Sequence, residues 1–283
     1  MNEQNLEYLK KSLDYLGFGT RLNDILESAI RKEIPKFTLG VTQRFTPIEF
    51  KADPAKGTDF MNYQLNFNKA KENDTYFLND YQVALKRYND PNLRRHTFDL
   101  ERDHRITAYQ AYKLLSGYAL QKEIYAKSSG EKTEAQPEKI KIWLKLQQDI
   151  TDAYGNHPLN RFYPEYQFNL EKAMDKYPLA NLNAAEKEKA MEQMSHGTPA
   201  LLAMTVEKRI IPVYVSANPK IKALDVFSEK MLPIRDELIF PDKDYSKKNS
   251  PQQKAESAAE AANERMPWEQ DRDANQQQQG MGR

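Results

Sequence analysis

The apolar residues of this 283-residue chain change their period along its length, and that change constrains the fold more than any motif does. Leu6, Leu9, Leu13 and Leu16 recur at helical spacing with charges between them, and Gly17 stands where a left-handed residue would stop the helix. A second helix is expected after Thr20 as N-cap. Its Leu22, Ile25, Leu26, Ala29 and Ile30 share one face, and Pro35 forbids continuation. From Phe37 the period becomes two. Phe37, Leu39 and Val41, then Tyr63, Leu65 and Phe67, then Tyr81, Val83 and Leu85 alternate with polar residues, as half-buried antiparallel strands do. Asp53-Pro54, Lys56-Gly57 and Asp90-Pro91 supply turns.

The pattern then restarts. Thr107 and Gln110 have capping-box spacing, Tyr109, Tyr112, Leu114 and Leu115 give a helical face, and Gly117 precedes strand residues through Ile124. The hairpin partner is Ile140 to Leu146, reached through a polar insertion from Lys127 to Lys139 that reads as a long loop. A third round follows a helix capped near Asn169. Asn183 and Glu186 resemble a capping box, Met191 and Met194 are expected inward, and His196-Gly197 closes the turn. Strands are expected at Leu201 to Val206, Ile210 to Val215 and Lys222 to Phe227.

This layout predicts an α+β fold of tandem helix plus antiparallel β-hairpin units with a disordered C-terminal tail. The three passages from helix into strand, at 31–35, 115–119 and 195–199, leave two readings open: internal duplication, or the alternation any α+β chain shows. Residues 1–155 are expected to form an N-terminal α+β region and 156–242 a C-terminal one packed on it. Apolar residues nearly vanish after Pro241, so 243–283 is expected to be a low-complexity tail that cannot offset its ordering entropy.

Composition narrows the function classes. Lys and Arg number 42 against 41 Asp and Glu, so attraction to an anionic partner must come from a local patch. With no cysteine there is no disulfide framework, no thiolate nucleophile and no sulfur-bound zinc, which fits a reducing compartment. No stretch approaches the roughly 18 apolar residues of a membrane span, so a cytoplasmic protein with no membrane association is expected. The four histidines, His96, His104, His157 and His196, show no metal-ligand spacing, and no phosphate-binding or nucleophile-elbow motif is present. No catalytic, cofactor or metal site is therefore expected. The polar run His96 to Arg105 contains Asp99, Asp103 and His104. Its alternation puts Phe98 and Leu100 inward and makes the polar residues a solvated face with local ion pairs.

Two features point to partners. Lys86, Arg87 and Tyr88 stand across a predicted turn from Arg94 and Arg95, so a hairpin would gather four cations beside one aromatic ring. That is a candidate nucleic-acid patch, with a charge-protected edge hairpin as the alternative. Pro267, Trp268 and Glu269 lie in the tail, where no local residue can bury the tryptophan, and form a candidate docking segment for a protein partner.

The segments Tyr15 to Gly19, Glu72 to Asn79, Ala108 to Gly117 and Tyr214 to Pro219 resemble a family of uncharacterised proteins carried by conjugative and integrative elements of Bacteroides-type bacteria. The resemblance spans roughly residues 6 to 240. It implies an accessory or cargo protein of mobile DNA and brings no catalytic residues with it. The expected function is a non-enzymatic accessory protein of a mobile element acting through protein–protein interaction. The alternative is a nucleic-acid-binding accessory protein in element DNA transfer or processing.

Overall fold

A computed structural model describes residues 2–125 and 139–241. Of the loop expected over 127–139, residues 127–138 lie outside the described residues and Lys139 opens a strand; the expected tail and its Pro267, Trp268 and Glu269 also lie outside them. The described chain is α+β, with its strands joined in antiparallel sheets. Residues through Arg235 form one compact unit; Asp236–Ile239, a short helix with Ile239 buried, belongs to a second.

Helices α1 (Glu3–Tyr15) and α2 (Asn23–Arg31) precede a four-stranded meander of β1 (Lys36–Phe45), β2 (Asp59–Lys69), β3 (Tyr76–Lys86) and β4 (Leu93–Asp99). Helix α3 (Ala108–Leu115) follows. Strict alternation in β2 decides which face the helices cover: Met61, Tyr63, Leu65 and Phe67 are buried while Phe60, Asn62 and Gln64 are exposed. Leu6, Leu9 and Leu13 from α1 and Leu26 and Ile30 from α2 join the same core as Ala111, Leu114 and Leu115 from α3. Phe18 lies between α1 and α2, edge-on to Tyr63 at 5.2 Å and to Tyr81 at 5.7 Å. Two of the phenols that reach this core are satisfied by backbone. Tyr63 donates to the Ala108 carbonyl at 2.9 Å and Tyr81 to that of Ile106 at 2.6 Å, which fixes where α3 begins.

Strands β5 (Leu120–Tyr125), β6 (Lys139–Leu146) and β7 (Leu159–Phe162) form a second sheet. The boundary expected near residue 155 thus falls in the connection between two paired strands, Trp143 opposite Phe162. After α4 (Leu170–Met174) come β8 (Leu179–Ala180), α5 (Ala184–Ser195), β9 (Ala200–Val206), β10 (Arg209–Asn218) and β11 (Ala223–Phe227), in sheet order β11-β10-β9-β8. Glu207 and Lys208 both take positive φ, the two-residue turn whose twist suits a hairpin. Lys145 of β6 reaches Asp225 of β11 at 2.7 Å, linking the second and third sheets.

Both predicted capping boxes form, Thr107 with Gln110 and Asn183 with Glu186. The three helix-to-strand passages share a local geometry. At the end of α2 the Ile34 and Glu33 amides bond the Ala29 and Ile30 carbonyls. Tyr118 and Gly117 do the same with Lys113 and Leu114 after α3, and Thr198 and Gly197 with Gln193 and Met194 after α5. Glu33, Gly117 and Gly197 have positive φ, and the next strand starts three residues on in each case.

Three expectations need correction. Thr20 does not cap α2: Leu22 occupies that position without a side-chain cap, because the chain turns through positive φ at Gly17 and Gly19 and the Thr20 carbonyl instead receives the Asn23 amide. Tyr109 is 51% exposed, its place in the core taken by Ala108 and Ala111. In α5 Ala190 and Met194, four residues apart, are buried, and Met191 is only half-buried. Strands β7 and β8 carry no alternation signal, and pairing with longer neighbours alone makes them strands.

Candidate nucleic-acid interface

The tip of the β3–β4 hairpin carries the five residues of the basic patch, and the structure divides them. Lys86 ends β3 opposite Leu93, and its ammonium reaches the Pro91 carbonyl at 2.8 Å across the turn. Arg87 turns inward. Its guanidinium lies 3.6 Å from Asp59, which has no exposed surface, and 3.7 Å from Glu49. Tyr88 donates its amide to Asp59 and its hydroxyl to Glu49, both at 3.0 Å, while its ring packs edge-on to Phe50. Burial and the Glu49 carboxylate raise its phenol above the ordinary range. Arg94 is tied at 3.1 Å to the Leu115 carbonyl and at 3.3 Å to Asp90, whose carboxyl is held low by the Asn92 amide and then by Arg94. Arg95 is exposed and makes no ion pair among the described residues.

The expectation of four cations beside Tyr88 is therefore corrected. Alternation sends Lys86 and Arg95 to the outer face of the sheet, whereas Arg94 is tied into the α3 end and Arg87, past the end of β3, folds over buried acids. The outer face supplies other partners. Register places Arg44, Phe60, Lys86 and Leu93 in one row across the four strands, and Thr42, Asn62, Ala84 and Arg95 in the next. Phe60 is 39% exposed, with the Arg44 guanidinium 5.8 Å from its ring centroid. Arg44 and Lys86 thus flank an open aromatic ring, with Arg95 two strands away in the next row. Further along, β2 presents Asn62, Gln64, Asn66 and Asn68, bridged to β1 by Thr42 to Asn62 at 2.7 Å and Thr38 to Asn66 at 2.9 Å. At the far end Phe77, half exposed, stands opposite Asn68, which in turn faces Lys36. At 3.4 Å per residue, eight residues of β2 separate these two ends by about 27 Å.

Sequence reading missed Arg44 and Phe60. The signal lay in the second parity of β2: every other residue from Phe60 to Asn68 is aromatic or amide, a set no core uses.

A cleft of about 460 Å³ opens beside β4. Asn92, Leu93, Arg94 and Arg95 form one wall, and Gln148, Thr151 and His157, from the β6–β7 connection, form the other. Asp152 braces that connection, accepting the amides of Tyr154 and Asn156 at 2.8 Å, and Asn156 bridges to Arg95. Behind the cleft, His96 is buried against Phe98, and its Nδ1 has no partner. Burial first, and the neighbouring His157 second, push its pKa down to about 4.

Of the polar run His96 to Arg105, Phe98 and Leu100 point inward as expected, but Asp103 does not lie on a solvated face. It is 2% exposed, accepts the Asp99 amide at 2.9 Å and pairs with Arg161, and burial raises its carboxyl pKa. It fastens β7 to the turn after β4. Among the described residues no group of three or more His, Asp or Glu side chains could hold a metal ion, and no helix is long and apolar enough to cross a membrane. Comparison with family models, with curated proteins and with solved structures finds no match.

Proposed function

We propose that the chain is a non-enzymatic accessory protein that binds single-stranded nucleic acid on the open face of the β1–β4 sheet. The observation that carries this reading is the exposed Phe60 with Arg44 and Lys86 on either side in its row and Arg95 diagonal to it in the next. An aromatic ring stacks any base, and cations around it take the phosphates on either side. A broad sheet face receives a single strand with splayed bases, whereas a duplex hides its bases from such a surface. The near-neutral chain confines this attraction to one end of one sheet.

The reading accords with the resemblance to proteins of conjugative and integrative elements, taking the alternative of nucleic-acid binding in element DNA transfer or processing. The helix-to-strand junction built three times over supports tandem helix and hairpin units. The protein-docking reading rests on Pro267, Trp268 and Glu269, outside the described residues.

The test is fluorescence anisotropy with labelled single-stranded and duplex oligonucleotides across a salt series, comparing wild type with an Arg44→Ala/Phe60→Ala variant. Single-strand binding that weakens at least tenfold in the variant is expected. Absence of binding at low salt, or equal binding by the variant, refutes the proposal.

A further inference from the structure

We infer that the cleft beside β4 is a nucleotide pocket that receives one unstacked base of the bound strand with its phosphate on Arg95. This inference rests on the open-face reading and deepens it. Arg95 belongs to both surfaces: its row on the sheet follows that of Phe60, and its side chain lines the cleft. A strand that stacks on Phe60 and crosses Arg95 therefore arrives at the opening.

The volume, about 460 Å³, lies within the range of small-molecule sites. The walls carry the two kinds of group that base edges require. Gln148 donates its amide nitrogen to the Leu114 carbonyl at 3.1 Å, which fixes the side chain and leaves its carbonyl oxygen as an acceptor. The Asn92 side-chain amide and the Thr151 hydroxyl both line the cleft and make no hydrogen bond among the described residues. His157 donates its Nδ1 proton to the Ile150 carbonyl at 2.9 Å, so in the neutral ring Nε2 is an acceptor. Leu93 supplies an apolar surface for the plane of the base. Asp90 lies in the same wall, but its carboxylate is engaged by Arg94, which leaves Arg95 as the uncompensated charge. Both walls are held before any ligand arrives, by Asp152 on one side and by the Arg94 contacts on the other.

The experiment uses the full chain and the four nucleoside 5′-monophosphates as probes, with binding read by saturation-transfer NMR and calorimetry. Saturable binding of at least one is expected, weakened at least fivefold by Asn92→Ala/Thr151→Val and by Arg95→Ala. The two wall substitutions remove no internal hydrogen bond, and circular dichroism confirms that they fold. If wild type binds oligonucleotides but no monophosphate saturates, or the wall variants bind it as wild type does, the pocket inference is wrong while the open-face reading stands. If monophosphates bind as expected and oligonucleotides do not, the pocket is supported and the open-face reading falls.

Discussion

The Arg87 guanidinium sits 3.6 Å from the carboxylate of Asp59, a side chain with no exposed surface. Asp59 also accepts the Tyr88 amide and the Tyr112 hydroxyl, each at 3.0 Å, so one buried acid gathers the hairpin end and α3. Removing one partner of such a pair leaves a buried charge uncompensated. Arg87→Ala is expected to lower stability by about 3 kcal/mol in chemical denaturation. An oligonucleotide affinity of the folded variant that drops while stability holds would contradict this placement.

Arg94 and Arg95 are adjacent in sequence and opposite in role. Arg94→Ala loses the contacts to the Leu115 carbonyl and to Asp90 and is expected to destabilise by about 1–2 kcal/mol. Arg95→Ala is expected to change stability by less than about 0.5 kcal/mol. In a salt titration of single-strand binding it should instead flatten the log–log slope by about 0.7, one phosphate contact. The wild-type slope expected from Arg44, Lys86 and Arg95 is about −2.

Phe60→Leu keeps an apolar side chain on the sheet and removes the aromatic face. Melting temperature should stay near that of wild type while single-strand affinity falls by about 1–3 kcal/mol, the worth of one stacked base. A retained affinity would show that apolar contact alone suffices there.

His96 gives a pH signature. Its folded pKa, about 4, lies below the ordinary 6.5, so the unfolded chain takes up a proton that the native chain refuses. The stabilisation is complete above pH 6.5 and is lost as pH falls through 4, with an amplitude on the order of 3 kcal/mol. Denaturation series for wild type and His96→Gln between pH 7 and 4 should differ in slope, the variant being flatter. Parallel curves would remove His96 as the cause.

Gly197 has φ +70°, and a Cβ added there would stand 3.2 Å from the Cβ atoms of Lys113 and Leu120. The end of α5 thus rests against α3 and β5 through a position that favours glycine. Gly197→Ala is expected to cost about 1–2 kcal/mol from backbone strain, with crowding added to it, read as a lower denaturation midpoint.

The sequence by itself determined the elements whose cause is local. Leucine spacing set α1, the Thr107–Gln110 and Asn183–Glu186 pairs set the starts of α3 and α5, and alternation set β1 to β3 and the buried side of each. Those signals are local because a helix cap or a two-residue period involves neighbours in the chain. Strands β7 and β8 were not legible, since pairing with β6 and β9 alone holds them extended. The site divides on the same line. Lys86 and Arg95 could be found as charges near a turn, but which of the five patch residues face outward was decided by strand parity and by buried Asp59 and Glu49, contributed from elsewhere in the chain. Arg44 and Phe60 join Lys86 only because three strands align in register, and the cleft exists only because residues 147–157 pack beside β4. Register and packing bring together residues distant in sequence, and no pattern within a single segment records them.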